Sequence, residues 1–294
     1  MKKFVALVMA VAMVAGLTAC GGSTTTEDAA ATTETAAGEK ILSVQIGPDP
    51  ETIDPALNSA VDGATTVAHL FSGLAKWAQD AEGKLVIAPD AAEALPEGVA
   101  NEDGTVTYTY KLRSGMKWSN GDEVKASDFV NSWNRAASTE LGADYGYMFE
   151  IVDGYAEMQK DATKKLNAIA DDAAGTITVT IENAVNYWNE LLAFPTYYPV
   201  HSSAFNNEAW ATDLSTYICN GPYTMASWDH NSVITLKKNP NYFAAADVKN
   251  VSLTNLDVIA EVAAEIGYIK PEDVARLIAF RNNPSDESWI GGAK

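Results

Sequence analysis

Between Val106 and Ala137, in VTYTYKLRSGMKWSNGDEVKASDFVNSWNRAA, the apolar period changes from two to that of a helix, and this holds the chain to a fold that mixes strand with helix. Val106, Tyr108, Tyr110 and Leu112 alternate with Thr107, Thr109 and Lys111, as in a half-buried strand. Asn120-Gly121 is a tight-turn dipeptide. Beyond it Ser127 is placed to cap a helix and Asp128 sets a carboxylate in its first turn. Phe129, Val130, Trp133 and Ala137 then recur at helical spacing.

Upstream, the N-terminus reads as a targeting segment. Lys2 and Lys3 precede an apolar run from Phe4 to Leu17 that is shorter than the about 20 residues a bilayer crossing needs. Leu17-Thr18-Ala19-Cys20 resembles a bacterial lipobox, which implies a signal peptide over 1–19, cleavage before Cys20 and lipid on that cysteine; a plain secretory signal is the alternative. After Cys20, residues 21–39 are Ser, Thr, Ala, Gly and acids with no large apolar side chain, so 20–39 read as a disordered tether. An anchored protein on the outer face of the cell membrane, extracellular or periplasmic, is the expected localisation.

Charge narrows the function classes. Without Lys2 and Lys3 the chain keeps 18 basic residues against 39 acidic ones, a net charge of −21, which argues against a nucleic-acid partner. With Cys20 acylated, Cys219 is left unpaired and reads as a small buried hydrophobe. His69, His201 and His230 are scattered, so no metal site and no cofactor is expected. The sequence lacks G-x-S-x-G, P-loop, G-x-G-x-x-G and H-E-x-x-H patterns, and an enzyme is not expected.

The body reads as α+β. Ile41 to Gly47 is a short apolar strand, and Pro48-Asp49-Pro50-Glu51-Thr52-Ile53-Asp54-Pro55 is forced into an extended, turning path. A helix is predicted over Ala64 to Leu74, closed by Gly73, and another within Asp153 to Ala170. Pro96 to Gly104 reads as a hairpin turn, Thr176 to Ile181 as a strand and Asn186 to Leu192 as the start of a helix. In the last forty residues Leu256, Ile259, Val262 and Ile266 keep helical spacing up to Gly267, and Pro271-Glu272-Asp273 opens a second helix.

Three stretches together resemble the peptide-type solute-binding proteins of ABC importers, extracellular solute-binding protein family 5. They are Asp49-Pro50-Glu51-Thr52-Ile53-Asp54-Pro55; Leu112-Arg113 with Trp118-Ser119-Asn120-Gly121, Val124, Ala126 and Asp128-Phe129; and Asn220-Gly221-Pro222-Tyr223 with Trp228 and Asn239-Pro240-Asn241-Tyr242-Phe243. The resemblance covers Ile41 to Val251. It implies a periplasmic-binding-protein-like fold of type II, incomplete, with an inserted subdomain and a helical C-terminal tail. Residues 40–70 and 166–252 would form the first lobe, around a mixed sheet of Ile41 to Gly47 and Thr176 to Val251. Residues 71–165 would be the inserted subdomain and 253–294 a tail of unknown role. The implied partners of this expected monomer are an oligopeptide or dipeptide ligand and an ABC permease. Carried over position by position, the ligand contacts are Ser59, Ala60, Val61 and Asp62 before the first helix, Tyr145 or Tyr147, and Asn220 with Gly221. Interior packing for the tyrosines, and a purely fold-determining role for Asn220 and Gly221, are open alternatives. So is a surface adhesion lipoprotein that retains only part of the receptor fold.

Overall fold

The computed structural model describes residues 42–207, 209–245, 256–265, 267 and 269–282. Helix α1 (Val61–Leu70) leads into hairpin β1 (Ala75–Gln79) and β2 (Leu85–Pro89), followed by β3 (Val99–Ala100) and β4 (Val106–Lys111). Helix α2 (Ala126–Ala136), a 3-10 turn at Gly146–Ile151 and the single-turn helix α3 (Tyr155–Met158) come next, then β5 (Ala168–Asp171) and β6 (Thr176–Ile181). After α4 (Trp188–Leu191) and two further 3-10 turns, β7 (Tyr223–Asp229) and β8 (Val233–Lys238) form a hairpin. Helices α5 (Leu256–Glu265) and α6 (Pro271–Asn282) pack against each other, on either side of the stop expected at Gly267. The lipobox, the tether, Ile41 and Val251 lie outside the described residues.

The period of two in β4 is used as expected. Val106, Tyr108 and Tyr110 point into the core, where β6 supplies Ile177, Val179 and Ile181 in antiparallel register, Tyr108 facing Val179 and Tyr110 facing Ile177. On the other face threonines pair across the strands, Thr107 with Thr180 at 3.1 Å and Thr109 with Thr178 at 3.3 Å. The sheet order is β3-β4-β6-β5, every pairing antiparallel. Helix α2 lays Phe129, Val130, Trp133 and Ala136 onto β5, β6 and the turn at Pro195–Tyr197. Trp133 is fully buried and its indole donates to the Tyr197 carbonyl at 2.8 Å. Tyr197 sits among Trp133, Phe149 and Trp188, with ring centroids 4.2 to 5.9 Å away.

The prolyl segment at the start of the body is fastened to α2. Asp54, 2 % exposed, receives Arg135 in a two-pronged pair, Nη1 to Oδ1 at 3.2 Å and Nη2 to Oδ2 at 2.6 Å. Its Oδ1 also accepts the Ala56 N–H at 2.9 Å. The Tyr217 hydroxyl donates to the Ile53 carbonyl at 3.0 Å. Two of the recognised stretches are thus joined by one buried ion pair.

Several expectations need correction. Residues 42–47 form no strand, and Leu42 and Val44 are exposed. No strand among the described residues offers them a ladder, without which extended backbone gains nothing over solvent. The sheet is therefore not built from Ile41 to Gly47 with Thr176 onward. Instead β6 joins β4, across the boundary expected at residue 165, and β7 with β8 stands as a separate ribbon. Helix α1 starts at Val61 and ends at Leu70, three to four residues earlier than read. Gly73 does not close it; a β-carbon there would lie 2.5 Å from the Tyr198 ring, so glycine serves close packing. Helix α2 begins at Ala126 with Lys125 at the cap position, and the Asp128 carboxylate accepts the Lys125 N–H at 2.8 Å. Ser127 instead binds Asp172 through both its N–H and its hydroxyl. In Asp153 to Ala170 only Tyr155–Met158 is helical. Gly154 enters with φ +88°, and Asn167 is drawn into the sheet, its N–H to the Asp153 carbonyl and its carbonyl to the Thr180 N–H. Sheet hydrogen bonding overrides the local helical pattern.

Cys219 is buried as read, and burial pushes its thiol up to about 12. A thiol-specific reagent at pH 8 is expected to label the folded protein on the order of a hundredfold more slowly than the unfolded chain, because the thiolate is both scarce and shielded. Equal labelling rates in buffer and in denaturant would contradict this placement.

Candidate ligand-binding site

The segment Asp54–Asp62 is a fixed turn rather than a loose loop. The N–H groups of Leu57 and Asn58 both donate to the Asp54 carbonyl, and the Asn58 amide donates to the Ala60 carbonyl at 3.0 Å. Ser59, Ala60 and Val61 are left on the surface, Val61 83 % exposed, while Asp62 is buried. Ala60 supplies no side-chain cap, so the first turn of α1 has no capping acceptor from its own N-cap residue.

The two tyrosines divide their roles. Tyr147 is 55 % exposed, and Tyr145 is half-buried, its ring edge-on to Phe194 at 5.0 Å and 6.3 Å from Tyr147. Both belong to the segment that passes the C-terminal end of α2, where a β-carbon on Gly146 would stand 2.9 Å from the Ala136 carbonyl. Arg135, on the same last turn of α2, holds Asp54. Asp54, which opens the turn leading to residues 59–61, and Gly146, between the two tyrosines, therefore both meet the last turn of α2.

Asn220 and Gly221 sit elsewhere, at the opposite end of α1. The Asn220 side chain is buried and reads Ser72 at both backbone groups, accepting its N–H at 3.0 Å and donating to its carbonyl at 3.0 Å. The Gly221 N–H donates to the Leu70 carbonyl at 2.8 Å, and a β-carbon there would lie 2.5 Å from the Leu70 carbonyl carbon. Asn239 in turn donates to the Gly221 carbonyl at 2.9 Å. Both the oxygen and the nitrogen of the Asn220 side-chain amide are thus committed to Ser72, just past the end of α1. Asn220→Ala strands a buried N–H and a buried carbonyl at Ser72, and the expected loss is about 1–3 kcal/mol of folding free energy in denaturant melts. An unchanged midpoint would mean that Ser72 finds other partners.

A concavity of about 260 Å³ lies elsewhere, between Trp118, Asp122, Glu123, Lys125, Asp128 and His201. His201 Nε2 is 3.0 Å from Asp122 Oδ2, its Nδ1 is 2.8 Å from the Ser203 hydroxyl, and its ring stands edge-on to Trp118 at 5.4 Å. Hydrogen bonds from Asn120 and His201 lower the Asp122 carboxyl, whereas burial raises that of Asp128. No local pattern signals the His201–Asp122 pairing, whose partners are 79 residues apart. It ties the Asn120-Gly121 turn to the segment after Val200. Among the described residues no group of three His, Cys, Asp or Glu side chains is arranged to hold a metal ion.

Comparison with known proteins settles the relationship. Residues 86–277 match the family described as bacterial extracellular solute-binding proteins, family 5 middle. The chain belongs to this family. Over 227 residues it is 32 % identical to the oligopeptide-binding protein OppA of Bacillus subtilis, covering 76 % of this chain and 39 % of that one. The substrate-binding domain of an oligopeptide ABC transporter from Bacillus anthracis superposes with a TM-score of 0.61 at 30 % identity, over 80 % of this chain and 46 % of the other. Listeria monocytogenes OppA bound to peptide gives a TM-score of 0.58 at 30 % identity, over 74 % and 43 %. The fold is thus that of a type II periplasmic binding protein, and the chain spans about two fifths of the curated relatives it matches. Family 5 proteins are extracellular or periplasmic binding proteins. Among the described residues no helix is long and apolar enough to cross a membrane.

Proposed function

We propose that this chain is the ligand-binding body of a substrate-binding lipoprotein of an ABC importer, anchored by lipid on Cys20 at the outer face of the membrane and delivering oligopeptides or dipeptides to a permease. It acts as a monomer and by binding alone. The observation that carries this reading is that the turn leading to the exposed Ser59–Val61 and the segment bearing the exposed Tyr147 both meet the C-terminal end of α2, through Asp54–Arg135 and at Gly146. The names of its relatives, oligopeptide-binding protein and dipeptide-binding protein, point the same way.

Such a site suits a peptide. Backbone groups of an extended ligand can hydrogen-bond the exposed turn whatever their side chains, and a tyrosine face with a hydroxyl at its tip accepts apolar and polar side chains alike. Asn220 and Gly221 serve this site indirectly, by fixing where α1 ends.

The test is a titration of the purified body from Glu39 onward with a mixture of random peptides, followed by thermal melting, with retained peptides identified by mass spectrometry. Saturating ligand at about 100 times its Kd adds about 2.7 kcal/mol to the folded state. A raised melting temperature with peptides recovered is the expected result, and Tyr147→Ala is expected to reduce the shift. A cooperative melt that no peptide moves would overturn the reading and favour the adhesion lipoprotein.

A further inference from the structure

Outside that site, two cations meet at one aspartate, Lys76 at its carboxylate and Arg113 at its backbone carbonyl. Lys76 on β1 places its ammonium 2.9 Å from Asp90 Oδ1; the aspartate side chain is 6 % exposed and the lysine 47 %. Arg113, just past β4, donates from Nε to the Asp90 carbonyl at 2.6 Å, and its guanidinium carbon stands 5.5 Å from the centre of the Phe243 ring. Its own N–H is fixed to the Ala91 carbonyl at 2.9 Å. The buried Tyr242 hydroxyl lies within the field of all three charges. The cluster keeps one net positive charge in a chain whose formal charge is −19, so it is a local exception to the field of the molecule.

The guanidinium is half-used. Nε is bonded and one face meets an aromatic ring, while Nη1 and Nη2 have no hydrogen-bond partner among the described residues. A planar fork already held by a bond and a ring loses little freedom when it takes a second planar group. The chemistry that fits is an oxyanion with two coplanar oxygens, since parallel N–H to oxygen bonds are the strongest arrangement open to arginine.

We propose that Arg113, assisted by the charge of Lys76, binds a carboxylate anion. The Nη1 and Nη2 groups take its two oxygens and Lys76 offsets the repulsion from Asp90. This site is independent of peptide binding at Ser59–Val61 and Tyr145–Tyr147. Two sources could supply the group, a small free carboxylate or the terminal carboxylate of a peptide, and both meet the same fork.

The full chain, labelled with nitrogen-15 arginine, is titrated with sodium acetate at constant ionic strength and in parallel with sodium chloride, and the Arg113 Nε signal is identified by its loss in Arg113→Lys. A saturable displacement of that signal by acetate and not by chloride is expected. Lys76→Gln, which keeps a long polar side chain, is expected to weaken the acetate response several-fold. A dipeptide with a free terminus acting more strongly than acetate, with its terminal amide inert, identifies a peptide as the source; equal action of acetate and dipeptide identifies any small carboxylate. A linear drift shared by acetate and chloride, or no displacement, overturns the proposal. Should Arg113→Lys fail to fold, the loss of the same signal in Arg113→Gln identifies it instead.

Discussion

Asp54→Ala is expected to cost the folded body about 3–5 kcal/mol, since it removes the one carboxylate paired with Arg135 among the described residues, in a site where that side chain is itself 16 % exposed. Two effects add. The guanidinium is left uncompensated in a poorly hydrated place, and the Ala56 N–H loses its acceptor. For a body of this size the loss corresponds to roughly 6–20 °C in melting temperature. Replacing both partners, Asp54→Leu with Arg135→Met, is expected to recover much of it, because the cost lies chiefly in the unpaired charge. If the single replacement melts within a degree or two of the parent, Arg135 reaches water and the pair is not what holds the opening turn to α2. The same variant bears on the proposed site, since the turn leading to residues 59–61 loses its tie to α2.

Trp133→Ala is the second large effect, at about 3–5 kcal/mol in chemical denaturation. Trp133 is fully buried, contacts Tyr197 edge-on and donates its only polar hydrogen to the Tyr197 carbonyl. Truncation opens a cavity between α2 and the turn at Pro195–Tyr197 and leaves that carbonyl without its donor. Trp133→Phe separates the contributions: it keeps most of the apolar contact, and its smaller loss reports the hydrogen bond together with the volume of one ring. A loss under 1 kcal/mol for the alanine variant would show that the neighbouring aromatic rings collapse into the space.

What could be read from the sequence was whatever local periodicity controls. The strand at Val106–Lys111, the helix at Ala126–Ala136, the strand at Thr176–Ile181 and the two tail helices announce themselves because one face of each must meet a core or a partner helix. Boundaries failed where a distant group decides them. Helix α1 stops at Leu70 because Asn220 captures Ser72, 148 residues away, and nothing near Ser72 says so. The segment after Asp153 turns strand-like because Asn167 is needed by Thr180. The candidate site divided in the same manner. The prolines marked Pro48 to Pro55 as an extended, turning path and the family resemblance pointed to Ser59–Asp62, yet the tie of Asp54 to Arg135 spans 81 residues and left no trace in spacing. Asn220 and Gly221 were visible as a motif, and only the structure shows both anchored to the end of α1.

The long reach of those ties bears on how the protein is made. Ile53 is held by Tyr217, Ser72 by Asn220 and Asp49 by Trp228, at separations of 164, 148 and 179 residues. A chain that leaves a narrow channel N-terminus first cannot make any of these links until about three quarters of it has emerged. Loops of such length close slowly, and until they close the prolyl segment and α1 remain an open thread with apolar groups in water. Under the proposed function, which requires export, delayed closure would keep the polypeptide threadable, at the cost of an interval in which a chaperone or a protease can reach it.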